Sequence, residues 1–197
     1  FPYTTLFRSN VGNVTVTCTT NTYTVGGTVA GLAAGNSVTL QNNGGNATVV
    51  STNGGFTFST ALTDESPYAV TVSLQPTTPN QTCVVTNGSG TLAGANVGNV
   101  TVTCTTNTYT VGGTVSGLAA GNSVVLRNNG GNDLTVSANG AFVFGAALPD
   151  QSAYAVTVFA QPTTPNQTCA VTNGSGTLAG ANVGNVTVTC TTNTYTV

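Results

Sequence analysis

The sequence contains no histidine, lysine, methionine or tryptophan, and only six of its 197 residues are charged. These are Arg8, Arg127, Asp64, Glu65, Asp133 and Asp150. An ordinary soluble domain carries about a quarter charged residues, so 3% is a severe departure. Each absence removes a class of chemistry. Without histidine, no Ser-His-Asp or Cys-His nucleophile system and no imidazole metal site can be built. Without lysine there is neither a Schiff base nor a phosphate-loop lysine. Two arginines and a net charge of −2 cannot supply the positive surface that nucleic-acid binding requires. Calcium takes about six to eight oxygens, usually with several carboxylates, and the acids here are too few and too scattered. No apolar run approaches the roughly 20 residues of a membrane span. Neither a signal peptide nor a starting methionine is visible. The composition therefore points away from an enzyme, a cofactor, a metal site and a nucleic-acid partner.

Threonine, valine, glycine and asparagine make up more than half of the chain. Disordered chains are poor in β-branched and aromatic residues and rich in charge. This chain is 39% hydrophobic, with valine and threonine dominant and tyrosine and phenylalanine set in alternating patterns. That composition predicts β-structure.

The string Val-Gly-Asn-Val-Thr-Val-Thr-Cys begins at Val11, Val97 and Val183, which defines a tandem repeat of 86 residues. Residues 85–111 are identical to 171–197, and 24–109 differ from 110–195 at 17 of 86 positions. The repeat register extends back to Asn10 and fails at Ser9. Residues 1–9, Phe-Pro-Tyr-Thr-Thr-Leu-Phe-Arg-Ser, resemble the translation of a short-read sequencing adaptor and are excluded from fold reasoning. The repeat then divides the chain into 10–20, the last strand of a truncated repeat; 21–106 and 107–192, two complete repeats; and 193–197, the start of another. On this reading the chain is a fragment of a longer frame.

Within each repeat the hydrophobic period is two, the signature of strands. In the first copy seven strands are predicted, at 23–29, 37–42, 48–51, 55–59, 68–74, 81–87 and 99–105. Alternation places Val38, Leu40, Phe56, Phe58, Tyr68, Val70, Val72 and Leu74 on inner faces. Thr39, Gln41, Thr57 and Ser73 fall outside, where the second copy substitutes Val125, Arg127, Val143 and Phe159. Asn42-Asn43-Gly44-Gly45 and Asn53-Gly54-Gly55 read as hairpin turns. Gln75-Pro76-Thr77-Thr78-Pro79 reads as a longer crossover. Seven short strands in such a length predict one two-sheet β-sandwich per repeat.

Tyr-Thr-Val-Gly-Gly-Thr-Val-Ser-Gly-Leu from Tyr109, Ser-Val-Val-Leu from Ser123, Ala-Asn-Gly-Ala-Phe-Val-Phe from Ala138 and Tyr-Ala-Val-Thr-Val from Tyr154 together resemble prealbumin-like bacterial surface repeats. The pattern is similar to collagen-adhesin B-type and carboxypeptidase-regulatory-like domains over roughly the first 50 residues of each unit. The resemblance implies tandem Ig-like or prealbumin-like sandwiches of a bacterial surface protein. Many B-type domains carry a Lys–Asn isopeptide bond, which a chain without lysine cannot form.

Cys83 and Cys104, like Cys169 and Cys190, are separated by 21 residues on adjacent predicted strands with their thiols inward. Disulfides Cys83–Cys104 and Cys169–Cys190 are expected, each contributing about 3 kcal/mol in the chain-entropy estimate. The alternative, a thiolate metal site, has only two sulfurs per unit and no histidine. Persistent disulfides imply the periplasm or the outside of the cell, and an extracellular or cell-surface location is expected. Cys18 lacks the partner that its register would place 21 residues earlier and is read as unpaired by truncation.

Other candidates have plainer readings. Asp64-Glu65 corresponds to Asp150-Gln151, so the acid pair is not kept, and both dipeptides read as turns before Tyr68 and Tyr154. Gly88-Ser89-Gly90 resembles a phosphate loop only superficially and reads as a loop. Eight Asn-x-Ser/Thr sequons, Asn13, Asn46, Asn80, Asn87, Asn99, Asn166, Asn173 and Asn185, follow from a composition rich in Asn and Thr. Phe159 on an outer face is a candidate adhesive or inter-domain contact.

Two roles fit these features. The first is a non-catalytic stalk, adhesin spacer or filament subunit. The second is a module binding glycan or protein through loops and outer faces. The connector Thr105-Thr106-Asn107-Thr108 is β-branched and free of glycine, which predicts neighbouring repeats in end-to-end contact. An unpaired strand at 11–18 would further predict head-to-tail self-association.

Overall fold

The computed structural model describes residues 12–13 and 15–196. Those residues are all-β, with two copies of the same two-sheet sandwich. In the first unit the strands are β1 (Thr22–Tyr23), β2 (Val25–Ala30), β3 (Val38–Asn42), β4 (Gly45–Val50) and β5 (Gly54–Thr57). They continue as β6 (Leu62–Thr63), β7 (Pro67–Leu74), β8 (Gln81–Thr86), β9 (Ser89–Thr91) and β10 (Val97–Thr106). The second unit repeats them as β11 (Thr108–Tyr109), β12 (Val111–Ser116), β13 (Val124–Asn128), β14 (Asn132–Val136) and β15 (Gly140–Val143). Its remaining strands are β16 (Leu148–Pro149), β17 (Ala153–Ala160), β18 (Gln167–Thr172), β19 (Ser175–Thr177) and β20 (Val183–Thr192).

One sheet of the first unit has the order β5-β2-β10-β8 and the other β4-β3-β7-β9, while β1 and β6 form a separate two-stranded ribbon. The first long strand, β2, lies parallel to the last, β10, with Val102 opposite Val29. Gly27 permits this approach, because a side chain there would collide with the Val100 backbone. The two inner faces bury Val25, Val29, Phe56, Val100 and Val102 from one sheet against Val38, Leu40, Tyr68 and Val70 from the other. Phe56 and Phe58 meet edge to face, with ring centroids 5.7 Å apart. The second unit builds its own equivalent core around Val111, Leu126, Phe144 and Val188.

Ten strands replace the seven expected from alternation. β1 and β6 are two residues each, too short to leave a periodic pattern. β9 corrects the reading of Gly88-Ser89-Gly90 as a loop: Ser89–Thr91 crosses to the other sheet and pairs with Pro67–Ala69 of β7. Leu74 is a second correction, being 63% exposed rather than inward. The register of β3 against β7 shifts between Thr39–Leu74 and Leu40–Val72. The extra residue, Ser73, forms a bulge that turns Leu74 onto the outer face. The second copy carried the signal, since it has Ala160 there.

Of the expected strand at 10–20, residues 10–11 and 14 lie outside the described residues. Its described residues, 12–13 and 15–20, are exposed and form no strand. The same ten residues at 97–106 form β10, held between β2 and β8. Among the described residues no strand pairs with 12–13 or 15–20. Residues 1–9 lie outside the described residues.

Candidate functional site: the contact between the two units

The cysteines stand in the two-sheet framework, directly opposed across β8–β10 and β18–β20. Cys83 is bonded to Cys104 and Cys169 to Cys190, all four buried, and Cys18 is free and exposed. The edge of β8 is covered by Gln75, whose side chain accepts from the Cys83 N–H at 2.8 Å and donates to the Cys83 carbonyl at 3.1 Å. A capped edge offers fewer free backbone groups to a foreign strand.

The loop that carries the C-terminal face of the first unit is fixed from below by two buried amides. Gln81 accepts from the Ala33 N–H at 2.9 Å and donates to the Gly31 carbonyl at 2.9 Å. Asn36 donates to the Pro79 carbonyl at 2.8 Å and accepts from the Thr78 N–H at 3.3 Å. Burying such amides is tolerable because each finds partners for its donors and acceptors. The result is that Pro79-Asn80 is presented in one fixed geometry.

Opposite it lies the turn between β16 and β17 of the second unit. Gln151 sits there at φ 65°, as Glu65 does at 62° in the first unit. This turn holds Asp150, which is 4% exposed. Its Oδ2 accepts from the Asn80 N–H at 2.7 Å, across the unit boundary, and its Oδ1 accepts from the Gly180 N–H at 2.8 Å. The connector closes the contact: the Asn107 N–H donates to the Asn80 carbonyl at 2.9 Å, and the Asn107 carbonyl accepts from the Asp150 N–H at 2.8 Å. One residue thus ties both units. The Asn80 N–H above all holds the Asp150 carboxyl below the usual carboxylate range, against opposing desolvation and with support from Gly180 and Gln151.

Sequence reasoning placed Asp150 in a turn, which it is, and missed its partner in the preceding unit. A signal was present, because Asp64 and Asp150 are the only acids found at equivalent positions of both repeats.

A second cluster lies on the outer face of the second unit. Arg127 on β13 forms a bidentate pair with Asp133 on β14, at 2.6 and 2.8 Å, and its guanidinium carbon stands 3.4 Å from the centroid of the Phe159 ring. The side-chain hydrogen bonds between the two groups raise the Arg127 pKa and lower that of Asp133. Gln41, Ala47 and Ser73 occupy these places in the first unit. Phe159 is the bulged residue of β17 and is 55% exposed.

Open grooves among the described residues include two on the sandwich surfaces. One of about 290 Å³ lies between β14 and β15, lined by Leu134, Val136, Asn139 and Phe142. The other, of about 460 Å³, lies beside Tyr68, Asn96 and Asn99. Neither lining includes a charged side chain or a thiol. Among the described residues no group of three His, Cys, Asp or Glu side chains comes together.

No protein-family model matches the chain, and no curated protein matches its sequence. Among solved structures, similarity extends to a leucine-rich repeat protein from Bacteroides thetaiotaomicron, at 13% identity and a TM-score of 0.23, covering 85% of this chain and 26% of that one. The chain spans about a quarter of that protein's length. A major pilin protein (T-13) from Streptococcus pyogenes is similar at 12% identity and a TM-score of 0.26, covering 89% and 98% of the two chains.

Proposed function

We propose that the chain is a run of non-catalytic structural repeats from a secreted or cell-surface bacterial protein, acting as a stalk, adhesin spacer or filament segment. The observation that carries this reading is the contact of Asp150 with the Asn80 N–H and of Asn107 with both units. A spacer must transmit position along its length, and a connector hydrogen-bonded on both sides does so where a Gly/Ser linker would not. Two cross-strand disulfides suit a compartment that keeps thiols oxidised. The partner each unit meets is the neighbouring repeat of the same chain. Head-to-tail association between separate chains would bring Asn21 of one molecule and Asn193 of another to the single place that Asn107 fills. Continuation within one chain is the better fit. Scattering or electron microscopy on chains of increasing repeat number tests the proposal: length should grow in proportion to repeat number, and a compact or freely flexing particle would reject it.

A second reading, an adhesive module, is favoured by one observation. Three substitutions between the repeats, Gln41/Arg127, Ala47/Asp133 and Ser73/Phe159, fall together in space and interlock. Binding of glycan or matrix protein that is lost on Arg127→Ala and Phe159→Ala would support it.

A further inference from the structure

We infer that Asp64 with Gly94 on the N-terminal face, and Pro165-Asn166 on the C-terminal face, are the two open halves of the Asp150–Asn80 contact, each completed by another repeat of this sequence. The inference rests on the stalk reading and specifies how its units are joined.

The two units provide their own comparison. Gly94 and Gly180 share the left-handed backbone, with φ 71° and 76°. A side chain at Gly94 would meet nothing within 4 Å among the described residues, whereas one at Gly180 would stand 2.5 Å from the Asn80 Nδ2. Gly94 is exposed and Gly180 half-buried. Asp64 accepts from the Gly94 N–H at 2.9 Å and the Glu65 N–H at 3.0 Å, both through Oδ1. Among the described residues no donor reaches its Oδ2, the oxygen that at Asp150 accepts from the Asn80 N–H. At the other end, Pro165 and Asn166 are exposed where Pro79 and Asn80 are half-buried. The Asn166 amide turns instead to the Tyr195 hydroxyl, at 3.2 Å. The acceptor on one face and the donor on the other are already paired once, by the same residue types, at the internal boundary. An additional repeat on either side therefore meets a preformed half-site, and every boundary takes the same geometry.

The use of the carboxylate oxygens gives a matched test. Among the described residues Asp150 uses both oxygens and Asp64 only one, so an amide can replace Asp64 but not Asp150. Residual dipolar couplings on the full chain report whether both units share one alignment tensor. The wild type should show one tensor. Asp150→Asn and Gly180→Val should each split it into two, while Asp64→Asn and Gly94→Val leave it single. The glycine variants carry equal backbone strain, and each unit's own shift pattern reports whether it is folded. Hydrogen exchange adds a direct readout: the Asn80 N–H should exchange at least about tenfold more slowly than that of Asn166, as a charge-assisted bond implies. Appending one more copy of 107–192 after Thr192 should slow Asn166 to match. A wild type with two tensors rejects the stalk reading and this inference with it. One tensor that survives Asp150→Asn and Gly180→Val, or an Asn166 N–H unaffected by the added unit, overturns the inference alone.

Discussion

Gly94 and Gly180 occupy equivalent places with the same left-handed backbone, yet among the described residues only Gly180 has a neighbour, the Asn80 side chain of the preceding unit. The contrast shows what folding of the repeat decides and what only adjacency adds. The local turn is identical in both copies, and the second repeat alone has a unit in front of it among the described residues.

The Asp150 contact should weaken in acid. Its carboxyl is held below its ordinary pKa of about 3.9, so the contribution is complete above that value and is lost as pH falls through the folded pKa. The groups around it, Asn80, Asn107, Gln151 and the Gly180 N–H, do not titrate. Exchange protection of the Asn80 N–H should therefore hold from pH 7 to pH 5 and fall below about pH 4. Asp150→Asn should flatten that profile, and an unchanged acid loss in this variant would refute the assignment.

Each disulfide should stabilise its own unit. Replacing Cys83 and Cys104 together by serine should cost about 3 kcal/mol in the first unit, out of a total margin of about 5–10 kcal/mol. Denaturant unfolding followed by unit-specific probes checks this. Non-reducing mass analysis should show Cys83–Cys104 and Cys169–Cys190 bonds with Cys18 open to alkylation. A Cys18–Cys83 bond would contradict the pairing.

The two cores should fail separately. Leu40 and Leu126 are fully buried in different units, and truncation to alanine should cost about 2–5 kcal/mol. Leu40→Ala should lower the melting transition of the first unit and leave the second near its own value. Leu74→Thr, on the exposed side of the bulge, should stay within about 0.5 kcal/mol of wild type.

The Arg127–Asp133–Phe159 cluster is exposed and should matter little to stability. Asp133→Ala should lower the melting temperature of the second unit only slightly, and added salt should shrink the difference. Moving the three residues into the first unit as Gln41→Arg, Ala47→Asp and Ser73→Phe should rebuild the stack. Upfield ring-current shifts of the introduced arginine's side-chain protons would register it.

The all-β class and most inner faces were legible in the sequence because they depend on period-two alternation, which each strand carries locally, and the repeat length because the chain recurs every 86 residues. Val38, Leu40, Phe56 and Tyr68 are buried for that reason. Leu74 escaped the pattern because a bulge is set by the partner strand, and β9 escaped it because a three-residue crossing has no period. Residues 11–20 and 97–106 are the same ten-residue string, yet only the second is a strand among the described residues. Its ladder is made by β2 and β8, so pairing, not composition, forms it. Asp150 follows the same logic. That an acid stands in that turn is local information, carried by the repeat itself. The Asn80 N–H reaches its second oxygen only because one unit stacks on the next, a contact between residues 70 positions apart that no local pattern encodes.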